Sequence, residues 1–193
     1  LQAIKMINTI DGGLLCCKRR DKYEEGKRRR WFGIDRDRRI ACEDDGYWDW
    51  NITELGFKYH MNDVCAAVGM GNLLHYDELY AQRQSICRKY RKAFVDTDGI
   101  QLLAEAGDGN RDAHWLFTMH VQERALFVRA MAARGIETGI VHRRNDVYDL
   151  FGGRRYDLPN LDRWEKTAIC LPLHNQLTDE QVEMVIDAVK EGW

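Results

Sequence analysis

The sequence predicts a mixed α/β fold, and three observations carry that reading. Helical and strand patterns alternate through the second half of the chain. Hydrophobic residues make up 45% and charged residues 31% of the 193 positions, the balance of a chain with a packed core. Glycines fall where helices should stop, at Gly99 and Gly135.

The elements follow in order. Residues 1–4 and 13–17 are apolar and β-prone, and a polar segment with Asp11-Gly12-Gly13 joins them, which reads as two strands and a loop. Residues 18–31 are highly charged and helical in pattern, and residues 35–51, rich in Asp, Arg and Trp, read as a surface loop. Residues 54–61 lack a helical stripe and read as extended. Asn62 is a good N-cap with Asp63 in the first turn. The apolar set Val64, Ala67, Val68, Leu73 and Leu74 then predicts a buried helix, with Gly69 and Gly71 permitting close packing or a break. A second helix spans 76–95, with Leu79, Ile86, Tyr90 and Phe94 on one face. Strands are expected at 100–103, 113–121, 136–141 and 169–173, and helices at 123–134 and 160–168. Thr178 and Gln181 form a T-x-x-Q capping box before a helix whose inner face carries Val182, Val185, Ile186 and Val189.

Composition excludes several function classes. The net charge is -2, with both signs mixed along the chain, which argues against nucleic acid or an anionic membrane as partner. The run Lys27-Arg28-Arg29-Arg30 reads as a solvated helix end rather than a phosphate-binding patch. The six cysteines (Cys16, Cys17, Cys42, Cys65, Cys87, Cys170) form no C-x-x-C pair, so no metal is expected. They read as reduced, mostly buried thiols of a cytoplasmic protein. No run approaches the length of a membrane span, and no signal peptide is visible. The chain begins at Leu1 in what reads as mid-strand, so it is expected to be the C-terminal part of a longer protein.

Candidate chemistry centres on Lys5, in LQAIKMINTIDGGLL. Ala3, Ile4, Met6 and Ile7 flank it. Desolvation there would favour the neutral amine that attacks an aldehyde. A snorkelling strand-end lysine fits the same residues. The histidines are scattered, with His114 and His120 read as structural residues flanking a strand. His142, in Val-His-Arg-Arg-Asn-Asp, heads a cluster that suits an anionic or polyhydroxyl ligand, and a solvated loop suits it equally. No P-loop, G-x-S-x-G or G-x-G-x-x-G is present.

Five segments in order resemble the DegT/StrS family of nucleotide-sugar aminotransferases, fold-type I pyridoxal phosphate enzymes. The opening segment resembles the family's F-x-x-x-K-x-[IL]-T-T-G-[ED]-G-G. Lys5, Thr9, Asp11, Gly12 and Gly13 match, while Asn8 replaces a Thr and Ile10 the first Gly. RRWFGIDR (29–36) resembles L-R-x-x-G-I. ELGFKYHMNDVCAAVGMGNL (54–73) resembles G-Y-N-Y-R-M-x-[DE]-x-x-A-A-x-G-x-x-Q-L. ARGIETGIVH (133–142) resembles R-G-I-x-T-x-x-H, and CLPLHNQLTDEQVEMVIDAV (170–189) resembles the family's closing S-L-P-L segment. The resemblance covers essentially the whole chain.

The resemblance implies a fold. Residues 1–52 would be the end of the large pyridoxal-phosphate-binding domain, and 53–193 the smaller α+β C-terminal domain. It also implies roles. Lys5 falls on the lysine that forms the Schiff base with pyridoxal 5'-phosphate and moves the proton between substrate and cofactor. A dehydratase branch has histidine there, so Lys5 favours transamination. Lys58 falls where many members have an asparagine that reaches the cofactor phosphate of the partner subunit, and His60 replaces a common arginine. His142 falls near the sugar-nucleotide contacts, with Arg143 and Asn145 as neighbours. The activity implied is transfer of an amino group from an amino acid donor, glutamate, to a nucleotide-linked keto sugar. Such chemistry serves cell-surface polysaccharide biosynthesis, and the family's sites lie at a homodimer interface. In the family about half the protein precedes this lysine and supplies the phosphate loop, the stacking aromatic and the pyridine aspartate. The 193 residues alone are therefore expected to be inactive. The rival reading is a catalytically inactive binding or regulatory protein on the same fold.

Overall fold

The computed structural model describes residues 1–41, 46, 48–107 and 109–193. It divides the chain into two compact units, Leu1–Tyr76 and Asp77–Trp193.

The first unit begins with turns. The strands expected at 1–4 and 13–17 do not form. Apolar, β-prone side chains favour a strand only where a neighbour accepts its backbone ladder. Here the backbone bonds locally instead: Lys5 N donates to Gln2 O at 3.0 Å, and Thr9 N to Leu1 O at 2.9 Å. Helix α1 (Arg20–Arg29) forms as its charge pattern predicts. Arg20–Glu24 and Arg29–Glu25 are i,i+4 ion pairs and Lys22–Glu25 is an i,i+3 pair.

The surface loop expected over 35–51 carries more structure than predicted, though residues 42–45 and 47 lie outside the described residues. Asp35 caps a 3-10 turn at Arg36–Arg38. Strands β1 (Ile40–Ala41) and β2 (Trp48–Asp49) then pair antiparallel. Residues 54–61 are extended, as expected, and lie along the end of α1. Phe57 N donates to Arg29 O at 2.7 Å and Tyr59 N to Arg30 O at 2.9 Å. Glu54 accepts from Arg28 Nε at 2.5 Å and Arg29 Nε at 3.0 Å, and these bonds hold its carboxyl below the usual range.

Asn62 caps α2 (Asp63–Leu73), its Oδ1 accepting from Cys65 N at 2.8 Å. The helix is not buried, contrary to its composition. No α2 residue is buried, and Val64, Leu73 and the following Leu74 are 67%, 56% and 84% exposed. Its apolar residues are spread around the axis, so no single face gathers them against a core.

The second unit holds the core. Helix α3 (Tyr76–Phe94) starts at the last residue of the first unit. It buries Ile86, Tyr90 and Phe94 on the expected face, with Cys87 beside them, while Tyr80 rather than Leu79 is its first buried position. Strands β3 (Ile100–Leu102), β4 (Phe117–Val121) and β5 (Ala168–Leu171) form an antiparallel sheet in the order β3-β4-β5. Met119 of β4 lies opposite Leu102 on one side and Ile169 on the other. Phe117, Met119 and Val121 alternate inward along β4. Helix α4 (Arg124–Ala133) adds Phe127 and Met131. Helix α5 (Pro159–Thr167) opens with proline in its first turn and contacts β4 and β5. In α6 (Asp179–Lys190) the capping box closes as predicted, and Val182, Val185, Ile186 and Val189 are buried. Each fully buried side chain of this size contributes about 1.5–3 kcal/mol of transfer free energy.

Three further expectations change. The strand expected over 136–141 is reduced to one bridge, Gly139 to Cys170, because β5 accepts a neighbour there at a single point. His120 lies within β4 rather than beside it, and its Nδ1 is 2.7 Å from Thr167 Oγ1. Among the described cysteines only Cys87 and Cys170 are buried. Cys17 and Cys65 are half-buried and Cys16 is exposed, because their segments join no core, and Cys42 lies outside the described residues. Burial pushes the Cys87 thiol up to about 11. Among the described residues no helix is long and apolar enough to cross a membrane, and no cluster of His, Cys, Asp and Glu is placed to hold a metal.

Candidate functional site

Lys5 is half-buried on a turn, and Ile4 beside it is 66% exposed. The apolar neighbours in sequence therefore do not enclose it. What distinguishes its segment is how firmly the following loop is held. Thr9 is 3% exposed, and its hydroxyl donates to Asp11 O at 2.6 Å. Asn72 of α2 donates from Nδ2 to Asn8 O at 2.9 Å. Gly69 lets α2 approach, since a Cβ there would lie 2.5 Å from Thr9 Cγ2. Gly12 is required twice. Its φ is +142°, and a Cβ would meet Met61 Cε and Thr9 Oγ1 at 2.9 Å each. Gly13 has open space around it.

Ile10 takes a left-handed φ of 70° within this loop. A β-branched residue is costly there. It stands where the family motif has glycine, so the loop keeps the glycine conformation with an isoleucine.

Lys58 is exposed, with its ammonium 4.3 Å from the centre of the Trp31 ring and 5.4 Å from that of Phe32. Residues 31 and 58 are joined by an antiparallel bridge, which sets that stacking. The His60 ring packs edge-on against Trp31, with ring centres 4.3 Å apart, and its buried Nδ1 has no hydrogen-bond partner among the described residues.

In the second unit, His142, Arg143 and Asn145 are all exposed and neighbour one another along the chain. The His142 ring is 5.8 Å from Trp115, edge to face, and its carbonyl accepts from Trp164 Nε1 at 3.3 Å. Arg83 holds the Trp115 segment, donating to Trp115 O at 3.2 Å and His114 O at 3.3 Å. Asn145 opens a 3-10 turn, Asn145–Val147.

The residue that organises this loop is Arg144, which no local pattern separates from Arg143. It is 2% exposed. Its guanidinium donates to Asp146 twice, at 2.6 Å each, and to Arg155 O at 2.9 Å. It also contacts Asp162 and lies 3.5 Å from Glu165, both on α5. Arg144 holds the Asp146 carboxyl well below the usual carboxylate range and lowers that of Asp162, and the arginine is raised in turn.

Comparison with known proteins places the chain. A family model described as the DegT/DnrJ/EryC1/StrS aminotransferase family matches residues 1–190. The spore coat polysaccharide biosynthesis protein SpsC of Bacillus subtilis is 26% identical over 200 residues, covering 98% of this chain and 51% of that protein. The dTDP-4-dehydro-2,3,6-trideoxy-D-glucose 4-aminotransferase of Saccharopolyspora spinosa is 25% identical over 196 residues, covering 98% and 50%. Among solved structures, AtS13 from Actinomadura melliaura superposes with a TM-score of 0.86 at 33% identity, over all of this chain and 50% of that one. The sugar aminotransferase CalS13 from Micromonospora echinospora gives 0.86 at 30%, over 97% and 49%. The chain spans about half the length of the curated relatives it matches. The chain belongs to the DegT/DnrJ/EryC1/StrS aminotransferase family.

Proposed function

We propose that the protein transfers an amino group from an amino acid, glutamate, to a keto group of a nucleotide-linked sugar, using pyridoxal 5'-phosphate. The observation that carries the reading is Lys5, a lysine on a turn whose continuation is fixed by Thr9, Gly12 and α2 within a chain of this family. The residues present fit the cofactor in one respect that bears on its chemistry. Lys5 brings a primary amine to a segment whose continuation is held, because Thr9 is buried and Asn8 is tied to Asn72. The cofactor, when bound, supplies the electron sink that lets an amino acid lose its α-proton.

The chain's own residues divide the remaining work. Lys5 Nζ would hold the cofactor covalently and, once displaced by the incoming amine, would move a proton between the substrate carbon and the cofactor. Lys58 turns from the Trp31 face to a cofactor phosphate, as an exposed ammonium on a flexible stem can. His142, Arg143 and Asn145 meet the sugar nucleotide, with Arg143 on an anionic oxygen. The intact protein acts as a homodimer in the cytoplasm.

Supplying the intact protein with the cofactor, glutamate and a 4-keto nucleotide sugar tests this. Mass spectrometry should find the amino sugar and 2-oxoglutarate in equal amounts. Absence of both, with the protein folded and cofactor bound, contradicts transamination and favours a binding or regulatory role.

A further inference from the structure

We infer that Arg144 is a positioning residue, whose buried guanidinium fixes the loop that presents Arg143 to the anionic part of the sugar nucleotide. The inference rests on the proposed function for its ligand, but its geometry is independent of it.

Four arginines lie on the loop from His142 to Asp157, and they divide by partner. Arg144 is enclosed by Asp146, Asp162, Glu165 and Arg155 O, with its side chain 0% exposed. Arg154 shares two of those carboxylates, at 3.1 Å from Asp162 and 2.9 Å from Glu165. Arg155 is paired with Asp157 at 2.6 Å, and its backbone N donates to Asp146 Oδ2 at 2.8 Å. Arg143 is exposed and has no partner among the described residues.

The arrangement ties the two ends of the loop together and anchors both to α5. Asp146 receives Arg144 from one end and the Arg155 amide from the other, so one carboxylate spans both. Asp162 and Glu165 lie on α5, which contacts β4 and β5, so the anchor is part of the unit's framework. Three carboxylates against the two arginines of this cluster leave no cation in it free for an incoming anion. Arg143, one residue along, keeps its charge available, and its backbone is held by the neighbour it adjoins.

Charge alone cannot do this. Arg144 uses a planar fork on Asp146 while its other amino group reaches α5, and a lysine offers one point charge in place of that fork. Arg144→Lys should therefore keep the net charge and lose the loop geometry. Misplacing a binding group by about 1 Å can weaken its contribution up to about a hundredfold.

A double-mutant cycle on the intact protein tests the inference, with uridine diphosphate and thymidine diphosphate as probes and titration calorimetry as readout. Arg143→Ala and Arg144→Lys should each weaken binding of the preferred diphosphate about tenfold or more. Arg144→Lys added to Arg143→Ala should cost less than about twofold further, since it acts through Arg143. Asp146→Asn, which keeps the shape at that position, should reproduce the Arg144→Lys loss. Unchanged affinity in Arg144→Lys overturns the inference and leaves the proposed function standing. Full additivity also overturns it, because Arg144 would then act on the whole fold rather than through Arg143. No binding of either diphosphate by the unaltered protein overturns the sugar-nucleotide reading and the inference with it.

Discussion

Arg144 and Asp146 meet in a two-pronged contact, Nε to Oδ1 and Nη2 to Oδ2, both at 2.6 Å. Asp146 also accepts the backbone N–H of Arg155 at 2.8 Å, so protonating it breaks the loop at two places. The sign follows from the direction of the shift. A carboxyl held below its unfolded value, about 3.9 for Asp, stabilises the fold fully above that pH. It loses that contribution as pH falls below about 4 towards the folded value. The loop 142–157 should therefore become protease-sensitive below about pH 4, before the β4–β5 core opens. Pulse proteolysis with pepsin and peptide mapping checks this, and Asp146→Asn should produce the same cleavages at neutral pH.

Ile10 should be improvable. Its φ of 70° costs an isoleucine about 1–2 kcal/mol, and glycine removes that cost. Glycine adds back about 0.5–1 kcal/mol of unfolded-state entropy. The relief wins, so Ile10→Gly should raise stability by up to about 1 kcal/mol, read as a higher midpoint in denaturant.

Gly69 should be sensitive. A Cβ there would sit 2.5 Å from Thr9 Cγ2, a side chain that is itself buried. Gly69→Ala gains helix propensity of about 1 kcal/mol and incurs overpacking of about 1–3 kcal/mol. Overpacking wins, with a net loss of up to about 2 kcal/mol by denaturant titration. Gly71→Ala, with open space around it, should show the propensity gain alone.

The thiols should separate by reagent. Cys16 is exposed, whereas Cys87 is buried with its thiol pushed up to about 11. An aromatic disulfide reagent at pH 8 should label Cys16 in the folded protein and reach Cys87 only on unfolding.

Much of the second unit was legible because its signals are local. The Thr178–Gln181 box lies within one turn, and the α3 stripe of Ile86, Tyr90 and Phe94 is a spacing rule. What the sequence hid depends on distant partners. Nothing in Arg143-Arg144 says which arginine is buried, since Asp162 and Glu165 lie far along the chain. The strand pattern at 1–4 was an apolar composition without a ladder to join. Helix α2 misled for the converse reason, since apolar residues all round an axis fit a buried helix and an exposed one equally. Within the Lys5 segment, Gly12 and Thr9 could be named from the family motif. Their packing on α2 through Gly69 needed the structure.

Whether Lys5 bonds covalently to the cofactor is decided by borohydride reduction. The intact protein is incubated with pyridoxal 5'-phosphate, reduced, digested and mapped by mass spectrometry. One stoichiometric phosphopyridoxyl label is expected on the peptide containing Lys5, and it should be lost in Lys5→Ala. A label confined to another lysine, or none on folded protein, would contradict it.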